Sequence, residues 1–200
     1  DLKQFSNNYE SVLDIGCSQG QFTIMLRDIA SQIIGIDISK TAIERAKEKY
    51  GDCKKIKFEV GNLPSLRYNS CYFDLVSALE VIYYLRTTEK MQALREIKRV
   101  LKNDGFLLTS VKINKPPYFQ IDEFYNLVSR FFKIRKVEYN YGKIYSLFES
   151  KLLLLERTVF KKFIRYLLSI EALVSIGQLL TKLILGRKGI TIMYILARSS

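Results

Sequence analysis

Ser11-Val12-Leu13-Asp14-Ile15-Gly16-Cys17-Ser18-Gln19-Gly20-Gln21-Phe22 decides the reading of this chain. Val12, Leu13 and Ile15 supply a short buried strand, the two glycines a turn, and the residues after Gly20 the start of a helix. Glycine lets a backbone approach a ligand closely, because it has no Cβ to block the approach. Seventeen residues after Gly20, the apolar run Ile33-Ile34-Gly35-Ile36 ends in a second acid, Asp37. A strand, a glycine loop, a helix and an acid-tipped strand describe a nucleotide-type pocket.

The spacing narrows the nucleotide. A dinucleotide fingerprint needs a glycine two residues after the first, and Ser18 stands there. No Gly-Lys-Ser/Thr follows, so the phosphate-loop motif fails as well. The dehydrogenase reading is thereby disfavoured, although Asp37 would suit either cofactor.

Two hundred residues suit a single domain spanning 1–200, with 48% hydrophobic and 26% charged residues, which are globular values. The chain opens on Asp1 rather than Met, which points to a further segment upstream; no charged-then-apolar signal region is present at the start. Cys17, Cys53 and Cys71 are widely spaced and odd in number, which argues against a disulfide scaffold or a zinc site and suits a reducing cytoplasm. With no histidine, imidazole acid–base chemistry and His-ligated metals are excluded, and no metal is expected.

The net charge of +12 is uneven. Residues 1–100 hold 15 Lys/Arg against 13 Asp/Glu, whereas residues 101–200 hold 17 against 7. A positive field confined to the second half suggests an anionic partner there.

Strands are expected at 11–15, 32–37, 56–60, 73–79 and 105–113, and helices at 20–30, 40–50 and 87–101, with Ser39 as a helix start. Asn103-Asp104-Gly105 reads as a turn between the last helix and strand. Alternation of this kind implies a parallel sheet with right-handed crossovers. A helix near 120–131 and a strand near 133–141 follow. Residues 143–189 then depart from the pattern: Leu152, Leu155, Val159, Phe163 and Leu167 recur at helical spacing, with Arg157, Lys161 and Arg165 on another stripe. A second, more apolar helix is expected at 171–185. Its longest uncharged run, 172–181, is too short for a span of about 20 residues. Interfacial membrane contact through 151–185 is the alternative to a cap over the substrate pocket. A strand over 190–197 closes the chain.

Leu13-Asp14-Ile15-Gly16-Cys17-Ser18-Gln19-Gly20 resembles the first motif of class I S-adenosylmethionine-dependent methyltransferases. The later segments agree in order, and Phe73 to Leu85 looks most like the small-molecule and sugar members, including nodulation-type N-methyltransferases. The resemblance covers residues 9–113 and the final strand. It implies a three-layer, Rossmann-like α/β fold with a mostly parallel seven-stranded sheet, a last antiparallel strand and a helical insertion before it. It implies S-adenosylmethionine as cofactor, held by Asp14, Gly16, Cys17, Ser18, Gly20, Asp37, Ile38, Asn62, Leu63 and Leu79. Asp37 would hold the ribose diol, since a carboxylate offers acceptors only. Asn62 departs from the family's aspartate, and its carbonyl would accept from the adenine amino group. Asp14 would order the loop or approach the ammonium group, and the methionine carboxylate would lie near the following helix N-terminus.

With no histidine, the catalytic candidates are Glu80 and Tyr83, with Tyr84 beside them, acting as base or lining the pocket. The acceptor is expected to be a small molecule, sugar or lipid-linked compound, in the cytoplasm or at a membrane periphery. Asn114-Lys115-Pro116-Pro117-Tyr118 resembles the Asn-Pro-Pro-Tyr motif of amino-group methyltransferases, but an inserted lysine and its place after the fifth strand favour a rigid loop. Rival readings are an RNA methyltransferase using the basic half and a non-catalytic cofactor-binding membrane module. Against RNA, the basic residues are interleaved with Leu and Ile rather than with stacking aromatics. The sequence does not fix the oligomeric state.

Overall fold

A computed structural model describes residues 8–113, 118–141 and 190–199, with three further helical positions, Ser175, Leu179 and Lys182. The insertion at 143–189 and the diproline loop otherwise lie outside the described residues.

Seven strands form one sheet: β1 (Tyr9–Ile15), β2 (Ala30–Asp37), β3 (Ile56–Val60), β4 (Phe73–Leu79), β5 (Leu101–Lys112), β6 (Lys133–Tyr141) and β7 (Ile190–Arg198). Their order is β3-β2-β1-β4-β5-β7-β6. The first five are parallel, and β7 runs antiparallel to both β5 and β6. The expected mixed sheet with a late antiparallel strand is therefore present. The order of strand addition reverses at β1: β2 and β3 are laid down on one side of it, β4 and β5 on the other, all in the same direction. In open α/β sheets the crevice at such a switch point is where ligands bind.

Strand β1 is buried on both faces, as a strand covered by helices on each side must be. Its alternate residues feed two cores. Leu13 and Ile15 join Val76, Ala78, Leu94 and Ile97 on one face; Val12 joins Ile33, Ile43 and Leu75 on the other. Each fully buried aliphatic side chain contributes on the order of 1.5–3 kcal/mol.

Helix α2 (Lys40–Tyr50) starts where Ser39 Oγ accepts from the Ala42 N–H at 3.2 Å. Helix α3 (Thr87–Val100) starts where Glu89 turns back to accept from the Arg86 N–H at 3.1 Å, and buries Ala93, Leu94, Ile97 and Val100 as one stripe. Helix α4 (Ile121–Ser129) buries Phe124 and Val128.

Two local expectations are corrected. The first helix is not continuous over 20–30: α1 (Gln21–Met25) gives way to a 3₁₀ turn at Leu26–Asp28. Gly20 caps it with no side chain, and the β-branched Thr23 and Ile24 are weak helix formers. Asn103-Asp104-Gly105 is not a turn before a strand but an irregularity inside β5. The pairing jumps from Phe73–Leu101 to Leu75–Phe106, and Asp104 takes φ +70°.

Candidate functional site

The turn after β1 is shaped by two left-handed glycines, Gly16 (φ +73°) and Gly20 (φ +81°). The N–H groups of Gly16 and Cys17 both donate to the Ile36 carbonyl, at 2.8 and 2.9 Å, which locks the turn onto the end of β2. A Cβ on Gly16 would collide with the Val81 side chain. The turn and the segment after β4 therefore close on each other, and only glycine fits between them.

A cavity of about 630 Å³ opens at this crossing. Its wall includes Gly16 and Ser18 from the turn, Asp37 and Ile38 from the end of β2, Asn62 and Leu63 after β3, and Leu79, Glu80 and Tyr84 after β4. The volume lies within the roughly 300–1,000 Å³ usual for small-ligand sites. A second cavity of about 530 Å³ shares Ile36, Ile38, Gly61 and Asn62 with it and extends towards Glu59, Arg67 and Tyr68.

Asp37 is the carboxylate that the end of β2 brings to the cavity wall. One of its carboxylate oxygens accepts from the Ser18 N–H at 2.9 Å, the other from the Ser39 N–H at 2.9 Å. Each oxygen keeps further acceptor capacity, so a pair of hydroxyls fits there. Ile38, exposed over the cavity, and Leu63, buried beneath it, offer apolar surface on either side of Asn62.

The other wall is built around Glu80, which holds φ +59° although it is not glycine. Ser110 from β5 fixes it: the Glu80 N–H donates to the Ser110 carbonyl at 3.0 Å and to its Oγ at 3.2 Å. Ser110 Oγ in turn lies 2.9 Å from Glu80 Oε1, and Tyr83 OH donates to Oε2 at 3.3 Å. Tyr83 and Tyr84 pack with centroids 4.4 Å apart, and Tyr118 meets Tyr83 edge-on at 5.2 Å. Burial, the Tyr84 hydroxyl and the Glu80 charge all raise the Tyr83 pKa, so this phenol stays protonated and donates.

Not every expected residue reaches the cavity. Asp14, Cys17, Gly20 and Tyr83 are absent from its wall. Asp14 is buried, held by Thr23 Oγ1 and Ser77 Oγ at 2.6 Å each. Burial pushes its pKa up to about 6, against the two hydroxyl bonds that lower it, with the Asp37 charge adding to the rise. Cys17 points inward, its Cβ beside Gly35, and burial lifts its thiol to about 12. Gly20 packs against Phe58 and Tyr50. The helix that begins there has five residues, too short for a substantial macrodipole, so it offers the expected methionine carboxylate little beyond its own N–H groups.

Reading the sequence missed Ser110, Thr23 and Ser77. The available signal was a hydroxyl inside an apolar strand, as in Leu75-Val76-Ser77-Ala78 and Leu107-Leu108-Thr109-Ser110-Val111. Buried hydroxyls need partners, and the carboxylates are those partners.

Residues 13–109 match the family model described as a methyltransferase domain. Carboxy-S-adenosyl-L-methionine synthase from Nautilia profundicola is 32% identical over 114 residues, 56% of this chain and 48% of that protein. Nodulation protein S from Bradyrhizobium diazoefficiens is 31% identical over 99 residues, 49% of this chain and 47% of that protein. The chain thus spans about half the length of these curated relatives. Among solved structures, the N-methyltransferase NodS from Bradyrhizobium japonicum in complex with S-adenosyl-L-homocysteine superposes with TM-score 0.68 at 15% identity, covering 99% of this chain and 81% of that one. The [4+2]-cyclase SpnF gives TM-score 0.68 at 21% identity, covering 96% and 76%. At these identities the structural likeness speaks for the fold.

Proposed function

We propose, from the match of residues 13–109 to a methyltransferase domain, that this chain is a class I S-adenosylmethionine-dependent methyltransferase and transfers a methyl group to a nitrogen or oxygen nucleophile of a small molecule, sugar or lipid-linked acceptor. The observation that carries this reading is the cavity of about 630 Å³ at the β1–β4 switch point. There the Gly16 turn, Asp37, Asn62-Leu63 and Leu79-Glu80 come together in the order a nucleoside, a thioether and an acceptor would need.

The residues fit the cofactor. Asp37 would accept from the ribose hydroxyls and Asn62 Oδ1 from the adenine amino group, with Ile38 and Leu63 against the ring. Ser18, Gly16 and the Leu79 backbone would flank the methionine part. Bound S-adenosylmethionine supplies a methyl already activated on a sulfonium, so positioning can provide much of the acceleration. Asp14 serves as a brace: it ties the turn to β4 through Ser77 and to α1 through Thr23. Glu80 is the carboxylate available to the acceptor, with Tyr83 as its hydrogen-bond donor. A phenol held protonated does not serve as a base.

Isothermal titration with S-adenosylhomocysteine tests the reading. Asp37→Ala should weaken binding at least about tenfold, the scale of losing hydrogen bonds to a charged group. Unchanged affinity would remove the pocket assignment.

The charge surplus of residues 101–200 supports a second reading, in which the acceptor is RNA. A steep fall of RNA affinity with added salt would favour it. Among the described residues no helix is long and apolar enough to cross a membrane. Peripheral membrane contact rests on 151–185, almost all outside the described residues.

A further inference from the structure

Glu80 sits oddly in this chain. The molecule carries 32 Lys and Arg, yet among the described residues none forms an ion pair with this carboxylate. Its partners are hydroxyls: Ser110 at 2.9 Å and Tyr83 at 3.3 Å. It is half-buried on the wall of a cavity, where an uncompensated charge is costly. It also holds a left-handed backbone, φ +59°, a conformation that persists only where its surroundings over-determine it. Ser110 supplies that determination with three contacts, from its carbonyl and from both roles of its hydroxyl.

Aromatic faces gather beside the carboxylate. Tyr83 and Tyr84 lie 4.4 Å apart and tilted at 43°, and Tyr118 closes edge-on against Tyr83 at 5.2 Å. Tyr84 is 78% exposed at the cavity mouth, so one ring face is open to whatever enters. Tyr194 on β7 stands opposite Ser110 in the strand register, and burial, with the Glu80 charge adding to it, raises its pKa. Lys112 Nζ already lies over the Tyr118 ring at 5.7 Å, which leaves the exposed Tyr84 ring beside a carboxylate held only by hydroxyls, a complement to an organic cation.

Resting on the methyl-transfer reading, we propose that the acceptor is an amine that enters as an ammonium ion, paired with the Glu80 carboxylate beneath the Tyr84 ring. Ser110 is the positioning residue that aims the carboxylate. The alternative cation is the sulfonium of the cofactor itself. The location favours the acceptor: Glu80 is anchored by Ser110 of β5, whereas Asp37 ends β2 and Asn62 follows β3, so the three line the same cavity from different strands. The proton inventory also closes. The ammonium gives one proton to Glu80 and becomes a neutral amine. Its nitrogen lone pair then forms the new N–C bond while the C–S bond breaks, its electron pair going to sulfur. The products are the thioether and a methylated ammonium, and Glu80 releases its proton to solvent.

The test uses the complex with S-adenosylhomocysteine and two probes of one shape, choline and its uncharged carbon isostere 3,3-dimethylbutan-1-ol. Tyrosine fluorescence reads binding, since the chain has 13 Tyr and no Trp. Choline should bind about tenfold more tightly than the isostere, the scale of a desolvated cation–aromatic contact with a charge behind it. Glu80→Gln should bring that ratio to within about twofold of unity while S-adenosylhomocysteine affinity is held, as loss of the charge but not the shape requires. Ser110→Ala should lower the ratio in part, and Tyr84→Leu should weaken choline more than Tyr84→Phe does. Equal binding of the two probes, or a ratio unmoved by Glu80→Gln, overturns the inference. So does a Glu80→Gln variant that loses S-adenosylmethionine far more than S-adenosylhomocysteine, because Glu80 would then serve the sulfonium. Failure of the wild-type chain to bind S-adenosylhomocysteine would instead defeat the methyl-transfer reading itself.

Discussion

At Gly16, a left-handed backbone and a missing side chain meet one requirement: the β1 turn must touch the segment after β4. Gly16→Ala meets two costs, about 1–2 kcal/mol for placing an L-residue in the left-handed region and a clash with Val81. Thermal melts should show a marked loss for Gly16→Ala, partly recovered when Val81→Ala is added. Full recovery would mean that the backbone angle costs nothing.

Asp14 carries a pH signature. Its carboxyl titrates near pH 6 in the folded chain, against an ordinary value of 3.8, because burial penalises the charged form. An acid whose pKa is raised by folding costs the folded state stability as soon as the pH is high enough to ionise it in the unfolded chain. Nothing is lost below about pH 4, stability falls between about pH 4 and 6, and the full penalty stands above. Two pH units correspond to roughly 3 kcal/mol. Denaturant titrations of Asp14→Asn should therefore gain on the wild type by a few kcal/mol between pH 4 and pH 7. A constant difference would contradict the assignment. Asp14 was legible in sequence as an acid interrupting an apolar strand. Its partners were not, because Thr23 and Ser77 reach it from different elements, and strand periodicity says nothing about contacts across the sheet.

Among elements, the loop between β3 and β4 depends on a helix for its shape. Arg99 on α3 donates to the Leu66 carbonyl at 3.0 Å and the Tyr68 carbonyl at 2.8 Å, while Glu96 holds its other face at 2.9 Å and accepts from the Leu66 N–H at 3.3 Å. One planar guanidinium thus fixes the loop that presents Asn62 and Leu63. Arg99→Ala should cost about 1–2 kcal/mol of stability, speed amide exchange across 61–70 and weaken cofactor binding several-fold. Arg99→Lys should not rescue it, since an ammonium cannot span both carbonyls and the carboxylate. Helix positions such as 40–50 and 87–101 were readable because each combines a cap with an apolar stripe. The Asp104-Gly105 signal was misassigned because a bulge and a turn use the same residues, and only the partner strand distinguishes them.

For the whole molecule, the alternation of strands and helices predicted a parallel sheet, and the family resemblance supplied its late reversed strand. What it could not give was which residues would share the cavity. Asp14 and Cys17 lie in the same motif as Gly16 and Ser18, yet turn their side chains into the core. Deleting residues 190–200 removes β7 from between β5 and β6. That variant should fail to give a cooperative denaturant transition, because the exposed β5 edge would invite association. A soluble, cooperatively folding truncation would mean that β7 is dispensable.

The position of β7 has a consequence for synthesis on the ribosome. β6 ends at Tyr141 and β7 begins at Ile190, but among the described strands β6 pairs only with β7. At about 5–20 residues per second, the ribosome needs several seconds to make the residues between them. For that interval the nascent chain has a five-stranded sheet with an open flank and an orphan hairpin arm. A holdase that covers an unpaired strand would find its client in that window, and slowing translation across 142–189 would lengthen it.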